Sequence, residues 1–355
     1  MIVPLKGNFN MPYNPSTEYM LDVLKRLIAT DSPTGFTEKA TAFCVHESEK
    51  LSFETSVTNK GCVLMDLGGE GNPIVVTAHL DTLGAIVKEV KPNGRLKITN
   101  LGGLRAVSAE SENVRIYARN GKIYDGCVQL NNPSTHVNRE AGAVERTYDS
   151  IEAVIDEDVN TKEDTLALGI TNGCYVCLEP RFVLTESGYI KSRFLDDKLA
   201  VAVLFAFAKK VKEGTIKLNR KVYLFFATYE EVGHGGKAGL PKDTQEILAV
   251  DMGCVGEGME GSERKVSICA KDAHGPYDKS VTDRLVSLAE ENHLQYAVDV
   301  YVNYSSDAQA AIAAGYDIKH ALIGPGVYAS HGYERSHIEG AENTLKLLDL
   351  YLTEN

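Results

Sequence analysis

The residues of this chain with the means to do chemistry are carboxylates and imidazoles that follow apolar runs. His79-Leu80-Asp81 follows the run at 73–78, Thr228-Tyr229-Glu230-Glu231 follows 222–227, and Asp251 follows 247–250. Leu195-Asp196-Asp197 opens a helical stretch, and a Gly-rich loop after the run at 318–323 carries His331. Gathering this many acids on one edge is costly unless a cation neutralises them. Arg193 and Lys198 are the nearest basic neighbours in sequence. Divalent ions would serve, and His with carboxylate but no thiolate suits Zn²⁺, Co²⁺ or Mn²⁺ rather than Ca²⁺. Two ions need a carboxylate between them, at a separation of about 3.5–4 Å. The adjacent Glu230 and Glu231 can then divide the work, one ligating and its neighbour staying free as a general base.

Such groups converge only if the runs are neighbouring strands. A short β-branched run without polar alternation reads as a strand buried on both faces. In open α/β sheets, ligands bind beyond the carboxyl ends of the strands. The runs alternate with helical stretches at 197–211, 279–292, 307–314 and 339–352, which predicts an α/β three-layer sandwich around a largely parallel sheet. Upstream, Ser16 is the expected cap of a helix with Met20, Leu21, Leu24, Leu27 and Ile28 on one face. A second helix is expected at 37–51, then strands at 53–58 and 62–66. From about 86 to 190 the pattern changes to short alternating strands with Gly, Asn and Pro turns. This predicts a β-rich, barrel-like domain at 88–187, inserted into a discontinuous α/β domain of 1–87 and 188–355.

Composition removes whole classes of function. Against 37 basic residues stand 49 acidic ones, a net charge of −12 in 355 residues, so nucleic acid is excluded as a main partner. The longest apolar run, 199–208, is half the length of about 20 residues that a membrane span needs. The N-terminus lacks the apolar core of a signal peptide. Seven scattered cysteines read as reduced thiols, so a cytoplasmic location is expected. Cys174-x-x-Cys177 falls on an expected strand, where its thiols face opposite sides. The G-x-G-x-x-G at 256–261 carries Glu257 and Glu260, which repel phosphate.

The motifs AHLDTLG (78–84), RFLDDK (193–198), ATYEEVG (227–233) and AVDMG (249–253) resemble the M42 aminopeptidases, cytosolic di-metal enzymes of the glutamyl and deblocking type. The resemblance extends over nearly the whole chain. HLDTLGA, NGRL, LDDK and SHGYER are similar to a branch of M42-like peptidases associated with the N-acetylated dipeptide-amide (NAGGN) osmoprotectant system. Carried over by position, it implies His79 as a terminal ligand and Asp196 as the bridging carboxylate. Glu231 and Asp251 become terminal carboxylate ligands, and His331 the last histidine. Glu230 is implied as the base, and Asp81 as the carboxylate that orients His79. The segment 330–334 is one residue shorter than the usual M42 ending, which leaves His337 as an alternative to His331. Tyr304, Ser306 and Asp307 occupy the substrate-proximal segment, Asp307 as a seat for the substrate amino terminus.

The family further implies two divalent ions per subunit, Zn²⁺ or Co²⁺ with Mn²⁺ also suitable. The expected reaction is removal of N-terminal residues from peptides by a hydroxide shared between the metals, with Glu230 as base. Homo-oligomers are implied, in many members a hollow particle of twelve subunits whose interior the insert shapes. Two other readings stay open. One is a deacylase or deblocking hydrolase of modified dipeptides on the same site. The other is a two-carboxylate glycoside hydrolase using Asp81 and Glu230, disfavoured by the absence of Trp.

Overall fold

The apolar runs become adjacent strands. In the computed structural model, which describes residues 13–353, Val222–Ala227, Ile74–His79, Glu246–Val250 and Lys319–Tyr328 lie side by side, all parallel. The segment read for a signal peptide lies in part outside the described residues. Parallel strands bring their carboxyl ends to one edge: Ala227 pairs with His79, and Val250 with Ile323. Successive side chains alternate between faces. Val76, Ala78, Leu224 and Phe226 therefore pack in one core, and Val75, Phe225, Ala227, Ile247 and Ala249 in another. Burial on both faces is what made these segments legible as unbroken apolar runs.

The flanks of the sheet are antiparallel. Glu54–Val57 and Val63–Gly68 close one side, and Glu334–His337, Tyr189–Ser192 and Val183–Leu184 the other. Val266–Asp272 runs antiparallel to Lys319–Tyr328 and carries Tyr296–Val300 at an outer edge. Helices Pro15–Ile28, Glu38–Lys50, Leu195–Lys212, Lys279–Glu291 and Ile338–Leu352 contribute to the first core. The short helix Asp307–Ala313 contributes to the second. The first helix is capped by Asn14, whose Oδ1 accepts the amides of Ser16 and Thr17, with Pro15 at its first position. Ser16 is thus inside the helix, not its cap. From Leu195 to Ala208 the central helix is buried on all sides. Among the described residues, no helix is long and apolar enough to cross a membrane.

Six strands form a separate closed barrel with its own core: Gly84–Val90, Leu96–Leu101, Ile151–Ile155, Ile123–Leu130, Asn113–Tyr117 and Tyr175–Leu178. The barrel begins earlier than the sequence pattern implies, because Gly84–Val90 leaves the sandwich directly after His79. Val183–Leu184, assigned to the insert from sequence, instead hydrogen-bonds to Tyr189–Ser192 in the main sheet.

Phe205 of the central helix stacks on Phe226 of the sheet with centroids 4.7 Å apart, both fully buried. Phe205→Ala should cost about 3–5 kcal/mol of stability, read from denaturant unfolding. A cost under about 1 kcal/mol would mean that the layer contact is not what holds this helix to the sheet.

Candidate metal centre

Each group at the shared edge is delivered by a strand or helix end. His79 ends its strand, and its Nδ1 lies 2.8 Å from the Asp81 carbonyl oxygen. In the neutral imidazole, a proton on Nδ1 donated there leaves Nε2 with a lone pair facing the cluster; in the imidazolium, Nε2 donates to Asp196 instead. Asp196 enters from the start of the central helix, with Oδ1 3.2 Å from His79 Nε2 and Oδ2 3.6 Å from His331 Nε2. Glu231 Oε2 is 3.5 Å from that same His331 nitrogen. The ligand atoms of His79, Asp196 and Asp251 lie within 4.8 Å of one another, and so do those of Asp196, Glu231 and His331. Two triads therefore share one carboxylate. Glu230 stands beside them, with Oε2 3.8 Å from His79 Nε2.

The donor set fits divalent cations. Glu231 Oε1 and Asp197 Oδ1 are buried without a hydrogen-bond partner, a costly state that a positive charge relieves. Burial, then the charge of Asp196, pushes Asp251 up to about 7. Burial also pushes Glu230, Glu231 and Asp197 well above the carboxylate range. Burial opposes a charge on His79, but the Asp196 hydrogen bond and the surrounding carboxylates outweigh it and raise its pKa.

Comparison with known proteins bears on what this centre is. Residues 61–347 match the family described as M42 glutamyl aminopeptidase. The chain belongs to the M42 peptidase family. It is 42% identical over 339 residues to the Bacillus subtilis (strain 168) protein named "Putative aminopeptidase YhfE", covering 95% of this chain and 98% of that one. In fold it is similar to the TET aminopeptidase of the Thaumarchaeota archaeon SCGC AB-539-E09 (TM-score 0.85, 17% identity, 95% and 96% of the two chains). It is similar also to the Pyrococcus horikoshii TET1 peptidase, described as assembling into a tetrahedron or a large octahedral shell (TM-score 0.82, 22% identity, 95% and 100%). The protein is thus an aminopeptidase of this family, a hydrolase acting on peptide bonds, and M42 peptidases are metal-dependent.

Several residues of this M42 peptidase sit otherwise than the sequence suggested. Asp81 does hold His79, but through its carbonyl. Its carboxylate is 3.7 Å from Nδ1 and instead accepts Thr34 Oγ1 at 2.7 Å and the Glu230 amide at 3.1 Å. Asp81 therefore sets the turn that carries the two glutamates. Ser306 is buried, its hydroxyl 2.8 Å from that of Tyr277, and it does not face the cleft. Asp307 is buried too; Oδ1 accepts the Gly236 amide at 2.6 Å and Oδ2 has no partner. Of the three proposed substrate contacts, Tyr304 lines the cleft, which encloses about 630 Å³. His337 caps the last helix, accepting the Glu339 amide at 3.1 Å, with Nε2 2.8 Å from the Ser187 carbonyl oxygen. It is His331 that reaches the cluster.

Two residues of the site have no role in the sequence reading, where Glu334 only closes the shortened 330–334 ending. Glu334 is buried and accepts the amides of Asp196 at 3.0 Å and His331 at 3.1 Å, tying together the backbone at two of the proposed ligands. Its position three residues after His331 was the available signal. Arg105, from the barrel, also lines the cleft and has no ion-pair partner among the described residues.

Without a cation, the folded state keeps protons that the unfolded chain releases. Asp251, pushed up to about 7, is joined by Asp307, which burial pushes up to about 6. Raised folded values give stability that is present at low pH and lost as pH rises through them. The melting temperature of the metal-free protein should therefore fall from about pH 5 to about pH 8, and added Zn²⁺ should remove most of that fall. Scanning calorimetry reads this; a flat or rising profile without metal would contradict it.

Proposed function

We propose that this peptidase removes N-terminal residues from peptides using two divalent cations, Zn²⁺ or Co²⁺ with Mn²⁺ as a further candidate. The observation that carries the reading is the pair of ligand triads sharing Asp196, with Glu230 alongside and outside both. His79 and Asp251 would hold one ion and Glu231 and His331 the other, with Asp196 between them. When bound, such ions acidify a water and polarise a carbonyl.

The chain supplies the rest. Glu230, unclaimed by either triad, takes a proton from the attacking water and returns it to the leaving amine. The Asp81 carboxylate keeps the Glu230 amide, and so the turn, in place. The acidic floor of the cleft gives the free amino group of a substrate an anionic seat, while Tyr304 and Arg105 form its walls. Because the acids are shared with imidazoles in compact triads, the same site gives no support to a two-carboxylate glycosidase.

The barrel contributes Gly103 and Arg105 to the cleft, so we read the insert as the part that shapes substrate access. By likeness to the TET1 peptidase we propose a closed homo-oligomer, with twelve subunits as the expected size. The free cysteines agree with a cytoplasmic protein.

Chelation should abolish hydrolysis of aminoacyl-nitroanilides, and Zn²⁺ or Co²⁺ should restore it. Glu230→Gln should lower kcat by about 10²–10⁴-fold while metal content measured by mass spectrometry stays unchanged. Full turnover in that variant would remove Glu230 as the base. Substrates with free and acetylated amino termini separate the main reading from a deblocking activity: cleavage restricted to the acetylated series would overturn the aminopeptidase. Light scattering tests the assembly, and a strict monomer would sink it.

A further inference from the structure

The two triads are built differently. His79, Asp251 and Asp196 hang from strand and helix ends of the sandwich. His331 stands in a loop between Lys319–Tyr328 and Glu334–His337, with φ of +62° at His331 and +60° at Ala329. Left-handed backbone costs a residue with a Cβ about 1–3 kcal/mol and persists only where surrounding groups hold it.

Much of what holds this loop comes from the barrel side. Arg193 is buried; its Nη1 donates to the Gly332 carbonyl at 3.2 Å, and its Nη2 donates to the Ser108 carbonyl. That Nη2 also lies 3.0 Å from Glu112 Oε1. Arg181 donates to the same Glu112 oxygen at 2.6 Å and lies over the Tyr333 ring at 4.1 Å. Gly103 packs directly on the imidazole: a Cβ there would stand 2.4 Å from His331 Nδ1. Gly103, Ser108 and Glu112 all lie between barrel strands Leu96–Leu101 and Asn113–Tyr117.

We propose that Arg193 and Glu112 are positioning residues that make the His331–Glu231–Asp196 metal site depend on docking of the barrel more than the His79–Asp251–Asp196 site, whose two unshared ligands, His79 and Asp251, stand at the ends of sandwich strands. This rests on the two-cation reading. The consequence is stepwise loading, with the His331 site filled second. A charge pair between the insert and the strand leading into Asp196 then decides whether the centre holds one ion or two.

The test is calorimetric titration of the metal-free, full-length protein with Zn²⁺, alongside Co²⁺ absorption spectra. Wild type should bind two ions in two steps, and His331→Ala should lack the weaker step. Glu112→Gln leaves every proposed ligand in place; it should weaken that same step by about 10–100-fold and leave the tighter one within about twofold. Gly103→Ala, which presses on the imidazole from the barrel, should do likewise. Circular dichroism melts establish that each variant is folded, and if Glu112→Gln does not fold, Gly103→Ala decides. Selective loss of the weaker step supports the proposal. Equal weakening of both steps, or no change in either, overturns it. A wild type that binds fewer than two ions fails the two-cation reading itself, and is thereby told apart from failure of this inference.

Discussion

The structure depends on one electrostatic constraint: negative charge concentrated at the buried edge of a sheet. Asp81, Asp196, Asp197, Glu231, Asp251, Asp307 and Glu334 all have side chains almost wholly withdrawn from solvent, where an unpaired carboxylate is expensive. The chain offsets this in two ways. Asp81, Asp307 and Glu334 accept backbone amides. His79 and His331 come within 4 Å of Asp196. The remainder, Glu231 Oε1 and Asp197 Oδ1 among it, has no hydrogen-bond partner, which suits the metal dependence of the family. Lys198, fully buried nearby in sequence, does not join in. Its Nζ donates to the Leu27 and Thr30 carbonyls on the far side of the helix.

The same constraint explains the local backbone. Phe194, Tyr229 and His331 adopt left-handed φ at or just before the proposed ligands Asp196, Glu231 and His331. Such conformations survive where tertiary contacts over-determine them, and those contacts come from both domains. The inserted barrel is thus part of the site's construction, with Gly103 and Arg105 lining the cleft.

The sheet was legible in the sequence because strands buried on both faces write themselves as continuous apolar runs, and the residues following those runs form the candidate ligand triads. The M42 resemblance adds roles to positions already singled out by that pattern. What was not legible involves residues whose partners are distant in sequence. Glu334 looks like any surface acid until it meets the amides of Asp196 and His331. Ser306 looks available until Tyr277 takes its hydroxyl. Val183–Leu184 looks like insert until it pairs with Tyr189–Ser192. In the G-x-G-x-x-G loop, the Glu260 and Gly261 amides are claimed by the carboxylate of Asp299, 38 residues away from Gly261.

By itself the sequence determined the parallel core, the existence of a β-rich insert, and which acids and imidazoles end on one edge. All of these follow from local periodicity and order along the chain. Only the tertiary structure brings His331, in its left-handed loop, beside Asp196 and leaves His337 capping a helix. It alone decided that the Asp81 carbonyl, not its carboxylate, orients His79. It alone brought Gly103, Glu112 and Arg193 to the His331 loop. Those outcomes depend on which distant groups meet across the barrel–sandwich contact, and neither residue type nor spacing encodes that meeting.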